Sequence, residues 1–205
     1  MMTIAETYNR IAEDWYKDHQ QDDWWVAGTE AFIAKLQPKS LVLDAGCGAG
    51  NKSAYLLQHG LRVLGIDASE GMIAIAKREV PDGMFHTLAF EDVRQLEASF
   101  DGIFMQASLL HVPKVEVAKT IQQLSGVLRL GGYFYIAVKE QKPHGPEEEI
   151  KIEDYYGYAF ERFFSYFTQH EVESYLQSAG FDTVYSTVNL SGKTNWIQVV
   201  GKKRA

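Results

Sequence analysis

Apolar positions in the first part of the chain recur at helical spacing. Ile4, Tyr8, Ile11, Ala12 and Trp15 share one face of a helix expected over Thr3 to Lys17, and a second is expected over Thr29 to Leu36, where Pro38 stops it. From Leu41 onward the period changes. Short apolar runs at Leu41 to Leu43, Arg62 to Ile66, Met84 to Phe90, Phe100 to Gln106 and Tyr133 to Val138 alternate with helical segments. One such segment ends near Gly60, one starts at Ser69, and one is amphipathic over Val115 to Leu128 before a Gly131-Gly132 turn. Runs that are apolar on both faces and separated by helices indicate a parallel sheet covered on both sides.

Further along, the alternation breaks. A helix over His170 to Ala179 leads into the run Phe181 to Leu190, and only Ser191, Gly192 and Lys193 separate that run from Thr194 to Gly201. A parallel crossover needs a dozen or more residues, so this connection joins antiparallel neighbours, and the sheet is expected to carry one reversed strand near its edge. A dinucleotide-binding sheet closes its second half with parallel crossovers, so the hairpin counts against a dehydrogenase.

With 205 residues and 46% apolar content, the chain can bury one sizeable core. There is no internal repeat, and the acidic run Glu147 to Glu149 is expected to be solvated loop. The formal charge of -7, from 27 acidic and 20 basic residues, repels polyanions, and the basic cluster Lys202 to Arg204 is expected to be a solvated tail. Nucleic acid is therefore not an expected partner. No apolar run approaches the roughly 18–20 residues that span a bilayer, so no membrane association is expected. The lone cysteine, Cys47, cannot form an internal disulfide, and the start lacks a secretory pattern; a soluble cytoplasmic protein, monomer or homodimer, is expected. The six histidines are scattered without metal-ligand spacing, and no G-x-S-x-G elbow appears, so neither a metal nor a serine hydrolase is expected.

The first strand ends in Asp44-Ala45-Gly46-Cys47-Gly48-Ala49-Gly50, followed by Asn51 and a helical segment. Glycines in such a turn permit positive φ and remove the Cβ atoms that would hold a ligand off the backbone. The spacing is G-x-G-x-G, and Asn51 stands where the longer dinucleotide fingerprint wants its third glycine. At the end of the second strand, Asp67 can accept both hydrogen bonds of a ribose diol. An adenosine cofactor satisfies both features.

LVLDAGCGAG, VLGIDAS, FDGIFMQASLLHV and LRLGGYFYIAVKE together resemble the successive motifs of class I S-adenosylmethionine-dependent methyltransferases, a likeness running from Tyr8 to about Gly201. The resemblance implies a doubly wound, Rossmann-like α/β sheet of seven strands, mostly parallel, with an antiparallel last strand. It implies a single methyltransferase domain over 1–205: a helical cap (1–38), a cofactor-binding half (39–139), an aromatic-rich insert (140–168) and a C-terminal helix and hairpin (169–205). The implied cofactor is S-adenosylmethionine, with S-adenosylhomocysteine as product. Residue by residue, the resemblance puts Asp44 near the amino-acid end, Gly46, Cys47, Gly48 and Gly50 under methionine and ribose, Asp67 on the ribose hydroxyls, and Ala68 and Met72 beside adenine. Where the family carries an acid after its third strand this sequence has Ala89, leaving Phe90 to pack the base and Glu91 or Asp92 to supply the carboxylate. Gln106, at the end of the fourth strand, is expected to lie against the methionine portion through its backbone carbonyl, or else to be an ordinary strand-end polar residue.

Methyl transfer from a sulfonium is an in-line displacement from an activated donor, so positioning supplies much of the rate. His111, just past the fourth strand, is the candidate general base, with an ordinary pKa near neutrality, or else a residue that orders its loop. Tyr16, Trp24, Trp25 and Tyr166, from two aromatic-rich stretches, are candidates to close over a substrate, although aromatics at such spacing also build cores. Arg162 can pair a substrate carboxylate or phosphate, or form an ordinary salt bridge. The expected activity is methyl transfer to O, N or S of a small molecule. The alternatives are a non-catalytic S-adenosylmethionine-binding sensor or partner subunit, and an RNA or protein methyltransferase.

Overall fold

The computed structural model describes residues 2–20 and 23–205; Met1, Gln21 and Asp22 of the expected cap lie outside them. Helix α1 (Ile4–Asp18) starts where the Thr3 hydroxyl accepts from the Glu6 amide while the Glu6 carboxylate accepts from the Thr3 amide, which satisfies two donors at the helix start. Helix α2 (Val26–Ile33) begins about one turn earlier than expected. It runs through Gly28, a poor helix former whose place is set by packing: a Cβ there would lie 2.0 Å from Gln198 Oε1 in the sheet below.

The remaining elements are β1 (Leu41–Ala45), α3 (Asn51–Gln58), β2 (Arg62–Asp67), α4 (Glu70–Glu79), β3 (Met84–Thr87), β4 (Phe100–Gln106), α5 (Lys114–Ser125), β5 (Leu128–Lys139), β6 (Glu148–Glu153), β7 (Phe160–Ser165), α6 (Gln169–Ser178), β8 (Phe181–Ser191) and β9 (Thr194–Lys203). Seven strands form one sheet in the order β3-β2-β1-β4-β5-β9-β8, while β6 and β7 pair separately. Strand β9 runs antiparallel to both neighbours, β5 and β8. Six strands thus share a direction, and the reversed one sits just inside the edge, as the short connection before Thr194 requires.

Alternate residues of the central strands feed two cores. On one face Ile103, Met105, Phe134 and Ile136 pack with Val117 and Ile121 of α5 and Leu176 of α6. On the other, Val42, Phe104 and Tyr135 pack with Phe32 of α2 and Leu56 of α3. With both faces covered, the C-terminal ends of the parallel strands are where irregular backbone can meet a ligand.

Three local expectations change. Strand β3 stops at Thr87 and a 3-10 turn covers Phe90–Leu96, because Phe85 is the one buried residue of the strand and little else holds it in the sheet. Gly131 and Gly132 lie inside β5, where the register shifts between Phe100↔Leu128 and Gly102↔Tyr133, so a bulge replaces the expected turn. The insert folds as the β6–β7 hairpin, and Glu148 and Glu149, expected in a solvated loop, open β6. Among the described residues, no helix is long and apolar enough to cross a membrane.

Candidate functional site

The loop after β1 is tied to both neighbouring strands. The amides of Gly46 and Cys47 donate to the Ile66 carbonyl at 2.8 and 3.0 Å, and the Gly48 amide donates to Asp67 Oδ2 at 3.0 Å. From the segment just past β4, the Ser108 hydroxyl donates to the Ala45 carbonyl at 2.7 Å. Gly46 has φ +78, and a Cβ on it would fall 2.3 Å from that of Ser108, so conformation and space both demand glycine. A Cβ on Gly48 would meet nothing nearer than Trp15 at 3.9 Å; its bare backbone borders a cavity of about 830 Å³.

Two carboxylates mark one side of that cavity. Asp44, 2% exposed, accepts the Ser53 hydroxyl at 2.6 Å. Burial pushes its carboxyl up to about 7, with the Ser53 bond opposing and the nearby Asp67 adding to the rise. Asp67 accepts the Gly48 amide on Oδ2 and the Ser69 amide on Oδ1 at 2.9 Å, and burial raises its pKa against those two bonds. Each oxygen keeps a lone pair for another donor. Gln106 lines the same cavity with its Oε1 buried and unpartnered. On the adjacent strand, beside the Asp44 carboxylate, Gln106 therefore presents a buried acceptor that lacks a donor, a costly arrangement that a donor from a ligand relieves. Ala68, Met72, Phe90 and Glu91 also line the cavity, whereas the Asp92 carboxylate accepts from Gln95 at 2.9 Å.

The other side is assembled from segments far apart in the chain. His111 Nδ1 donates to the Phe163 carbonyl at 2.7 Å, which leaves Nε2 as an acceptor, and the Tyr8 hydroxyl donates to it at 2.9 Å. Arg162 Nη1 lies 3.4 Å from the Tyr8 oxygen, while Nε and Nη2 pair with Glu153 at 2.6 and 2.8 Å. Burial lowers the His111 pKa to about 3, the Phe163 bond opposing and the positive Arg162 and Lys139 adding. The imidazole expected to be a base near neutrality is instead a neutral acceptor already in use. Beyond it, the Lys139 ammonium sits 4.3 Å from the centre of the Phe164 ring and 5.6 Å from that of Trp196, and Trp196 stacks on Trp24 at 3.7 Å.

Residues 42–132, which hold the glycine turn, Asp44, Asp67, Gln106 and His111, match the sequence model of a family described as Methyltransferase domain. Over that stretch the chain is similar to a methyltransferase domain. Curated relatives of the chain include an S-adenosyl-L-methionine-dependent Diels-Alderase of Talaromyces variabilis, 30% identical over 122 residues (56% of this chain, 41% of that protein). Another is a magnesium-protoporphyrin O-methyltransferase of Synechocystis, 33% identical over 123 residues (58% of this chain, 53% of that protein). The chain spans about half the length of the curated relatives it matches. Among solved structures, the 1,6-didemethyltoxoflavin-N1-methyltransferase of Burkholderia thailandensis, crystallised with 1,6-didemethyltoxoflavin and S-adenosylhomocysteine, shares the fold with a TM-score of 0.74. The match is 23% identical and covers 97% of this chain and 86% of that one.

The cavity brings together Asp44, Gly46, Cys47, Gly48, Asp67, Ala68, Met72, Phe90, Glu91, Gln106, His111, Trp24 and Arg162. Four expected residues are placed elsewhere. Gly50 lies against Ala76 and Val80 and starts α3 in a left-handed conformation. Tyr16 packs beside Ala12 and Ile75 and hydrogen-bonds Glu79. Trp25 is buried edge-on against Tyr55, with the Lys52 ammonium over its ring. Tyr166 donates to Glu149 at 2.6 Å and stacks on Phe164. The Cys47 thiol is packed with Ile73, Val80 and Phe85, and burial raises its pKa, so it is no nucleophile. Sequence reasoning did not single out Tyr8, Trp15 and Phe164 within the aromatic-rich stretches Tyr8 to Trp25 and Tyr155 to Phe167, and it missed Lys139 and Trp196; all five line the cavity. Tyr8 and Trp15 belong to the apolar stripe of α1, and their polar tips were the one available signal. Among the described residues, no group of three His, Cys, Asp or Glu is placed to hold a metal.

Proposed function

We propose that this chain is an enzyme that binds S-adenosylmethionine across the ends of β1, β2 and β4 and methylates O, N or S of a small molecule. The unpartnered Gln106 oxygen carries the reading: with the Asp44 carboxylate it calls for an ammonium donor, and the methionine portion has one. The remaining geometry fits the same guest. Asp67 has a free lone pair on each oxygen for two ribose hydroxyls, Phe90 and Met72 offer apolar faces to adenine, and Glu91 can accept from its amino group. A volume of about 830 Å³ suits a cofactor together with a small acceptor.

When bound, S-adenosylmethionine supplies a methyl group activated on a sulfonium and leaves as S-adenosylhomocysteine. The chain has to hold a nucleophile in line and manage any proton it loses. Tyr8 faces the cavity with its own proton directed at His111, so its oxygen accepts from a nucleophile's O–H or N–H. His111 is then a positioning residue, oriented in turn by the Phe163 carbonyl. Trp15, Trp24 and Trp196 give the cavity apolar walls. A net charge of -7 favours a small molecule over RNA.

Calorimetric titration with S-adenosylhomocysteine and with NAD tests the cofactor, and tritiated methyl transfer to a metabolite library tests turnover. Binding of the first and not of NAD is expected. Tight NAD binding, or no S-adenosylhomocysteine binding, ends this reading; binding without label transfer to any metabolite turns it into a sensor.

A further inference from the structure

Three cations gather around one ring on the side of the cavity away from the glycine turn. The Phe164 ring has Lys139 at 4.3 Å, Arg162 at 5.1 Å and Lys151 at 5.6 Å from its centre. Two carboxylates answer them. Glu153 pairs with Arg162 at 2.6 Å, and Glu149 with Lys151 at 3.3 Å. Lys139 is left over: among the described residues no carboxylate lies within 4.0 Å of its ammonium, and its neighbours are the Phe164 and Trp196 rings. A half-buried cation with only ring faces around it is short of hydrogen-bond acceptors. Burial accordingly lowers its pKa to about 8, the positive Arg162 and Lys151 adding and Glu153 and Glu149 opposing.

Position makes that charge available to a ligand. Lys139 ends β5 and stands directly opposite Trp196 in the antiparallel register, so the two side chains rise on the same face, and both line the cavity. Trp24, stacked on Trp196, and Phe164 complete an apolar frame around the ammonium. The excess is one positive charge, which matches one negative charge. A phosphate dianion would want a second cation or an Arg fork, and the Arg162 fork is already closed on Glu153.

We propose that Lys139 anchors a carboxylate of the methyl acceptor, so that this site takes a small monocarboxylate with an apolar body. The inference rests on the reading of the cavity as a methyltransferase site and names the class of molecule that enters it.

The test uses hydrocinnamate and octanoate as probes, hydrocinnamamide and octanamide as neutral counterparts, and 3-phenylpropylamine as a cationic one. Each is titrated calorimetrically into the wild-type protein, both unloaded and saturated with S-adenosylhomocysteine. At least one carboxylate is expected to bind about tenfold or more tighter than its amide and the amine, the scale of one hydrogen bond to a charged group. Lys139→Gln is expected to erase that preference to within about twofold, and Lys139→Arg to retain most of it, with melting curves confirming that both fold. Equal binding of acids and amides, preference for the amine, no binding of either acid, or a preference that survives in Lys139→Gln each overturns the proposal. So does a large loss of S-adenosylhomocysteine affinity in Lys139→Gln, which would assign the ammonium to the cofactor's own carboxylate. If the wild-type protein fails to bind S-adenosylhomocysteine, the cofactor reading falls while the probe titrations on the unloaded protein still decide the anchor.

Discussion

The two sides of the cavity are built by different means. Asp44, Asp67 and Gln106 each stand at the end of a parallel strand, and backbone hydrogen bonds tie the turn between them to the sheet. Tyr8, Lys139, Arg162 and Trp196 come from α1, β5, β7 and β9 and meet through side-chain tips. The first side presents carboxylates and the second cations. Strand register fixes the first, so it tolerates little change; contacts between separate segments make the second, so new residues there can alter what enters without disturbing the first.

The largest effect should come from breaking the sheet-built side. Gly46→Ala places a Cβ 2.3 Å from Ser108 Cβ at φ +78. Left-handed strain and overpacking together are expected to cost about 2–5 kcal/mol in urea denaturation and to abolish S-adenosylhomocysteine binding. A variant that keeps wild-type stability and affinity would refute a backbone-fixed turn. Next, Asp67→Ala should weaken S-adenosylhomocysteine by about 1.5–3 kcal/mol in calorimetry while the protein stays folded.

A pH titration sharpens the contrast in charge. The unliganded Asp44 carboxyl, pushed up by burial to about 7, is protonated below that pH, and pairing with an ammonium requires it ionised. Binding below pH 7 must therefore release a proton, so affinity should fall about tenfold per pH unit from 7 toward 5 and level off above 7. Asp44→Asn should bind more weakly at pH 8 and show a flat profile. On the other side, Tyr8→Phe should slow turnover of an accepted substrate by a few-fold to about tenfold while leaving S-adenosylhomocysteine affinity within about twofold. Parallel loss of both would make Tyr8 a structural residue. Smallest of all, Tyr16→Phe, which removes the hydrogen bond to Glu79 where α1 meets α4, should change stability by less than about 1 kcal/mol and leave cofactor affinity unaltered.

The same contrast explains what the sequence revealed. The glycine turn, Asp67 and the short connection before Thr194 report backbone constraints that act within a few residues, and such constraints are written locally. Tyr8 and His111, which share a hydrogen bond across 103 positions, leave no local trace. Strand β6 was hidden for another reason. It alternates, but inverted: Glu149, Lys151 and Glu153 are the less exposed set, while Ile150 and Ile152 are 44% and 73% exposed. Hydrophobic patterning assigns the isoleucines to the interior, yet here the more sheltered charges pair with Arg162, Tyr166 and one another. The conflict between pattern and burial falls beside the cavity, where a ligand's needs outrank those of the core. His111 shows a third limit, since its ordinary pKa says nothing of a burial that lowers it to about 3.

The place of β9 bears on how the molecule assembles. Strands β1 to β3 join as successive strand-helix units, but β5 finds its partner β9 only after the β6–β7 hairpin, α6 and β8 have been traversed. Long loops close slowly, and the span from Lys139 to Trp196 is close to that from Val42 to Gly102, so both walls of the cavity wait on pairings between distant segments. Neither wall can then be completed by a local segment folding by itself, and both belong to the same cooperative unit as the central sheet.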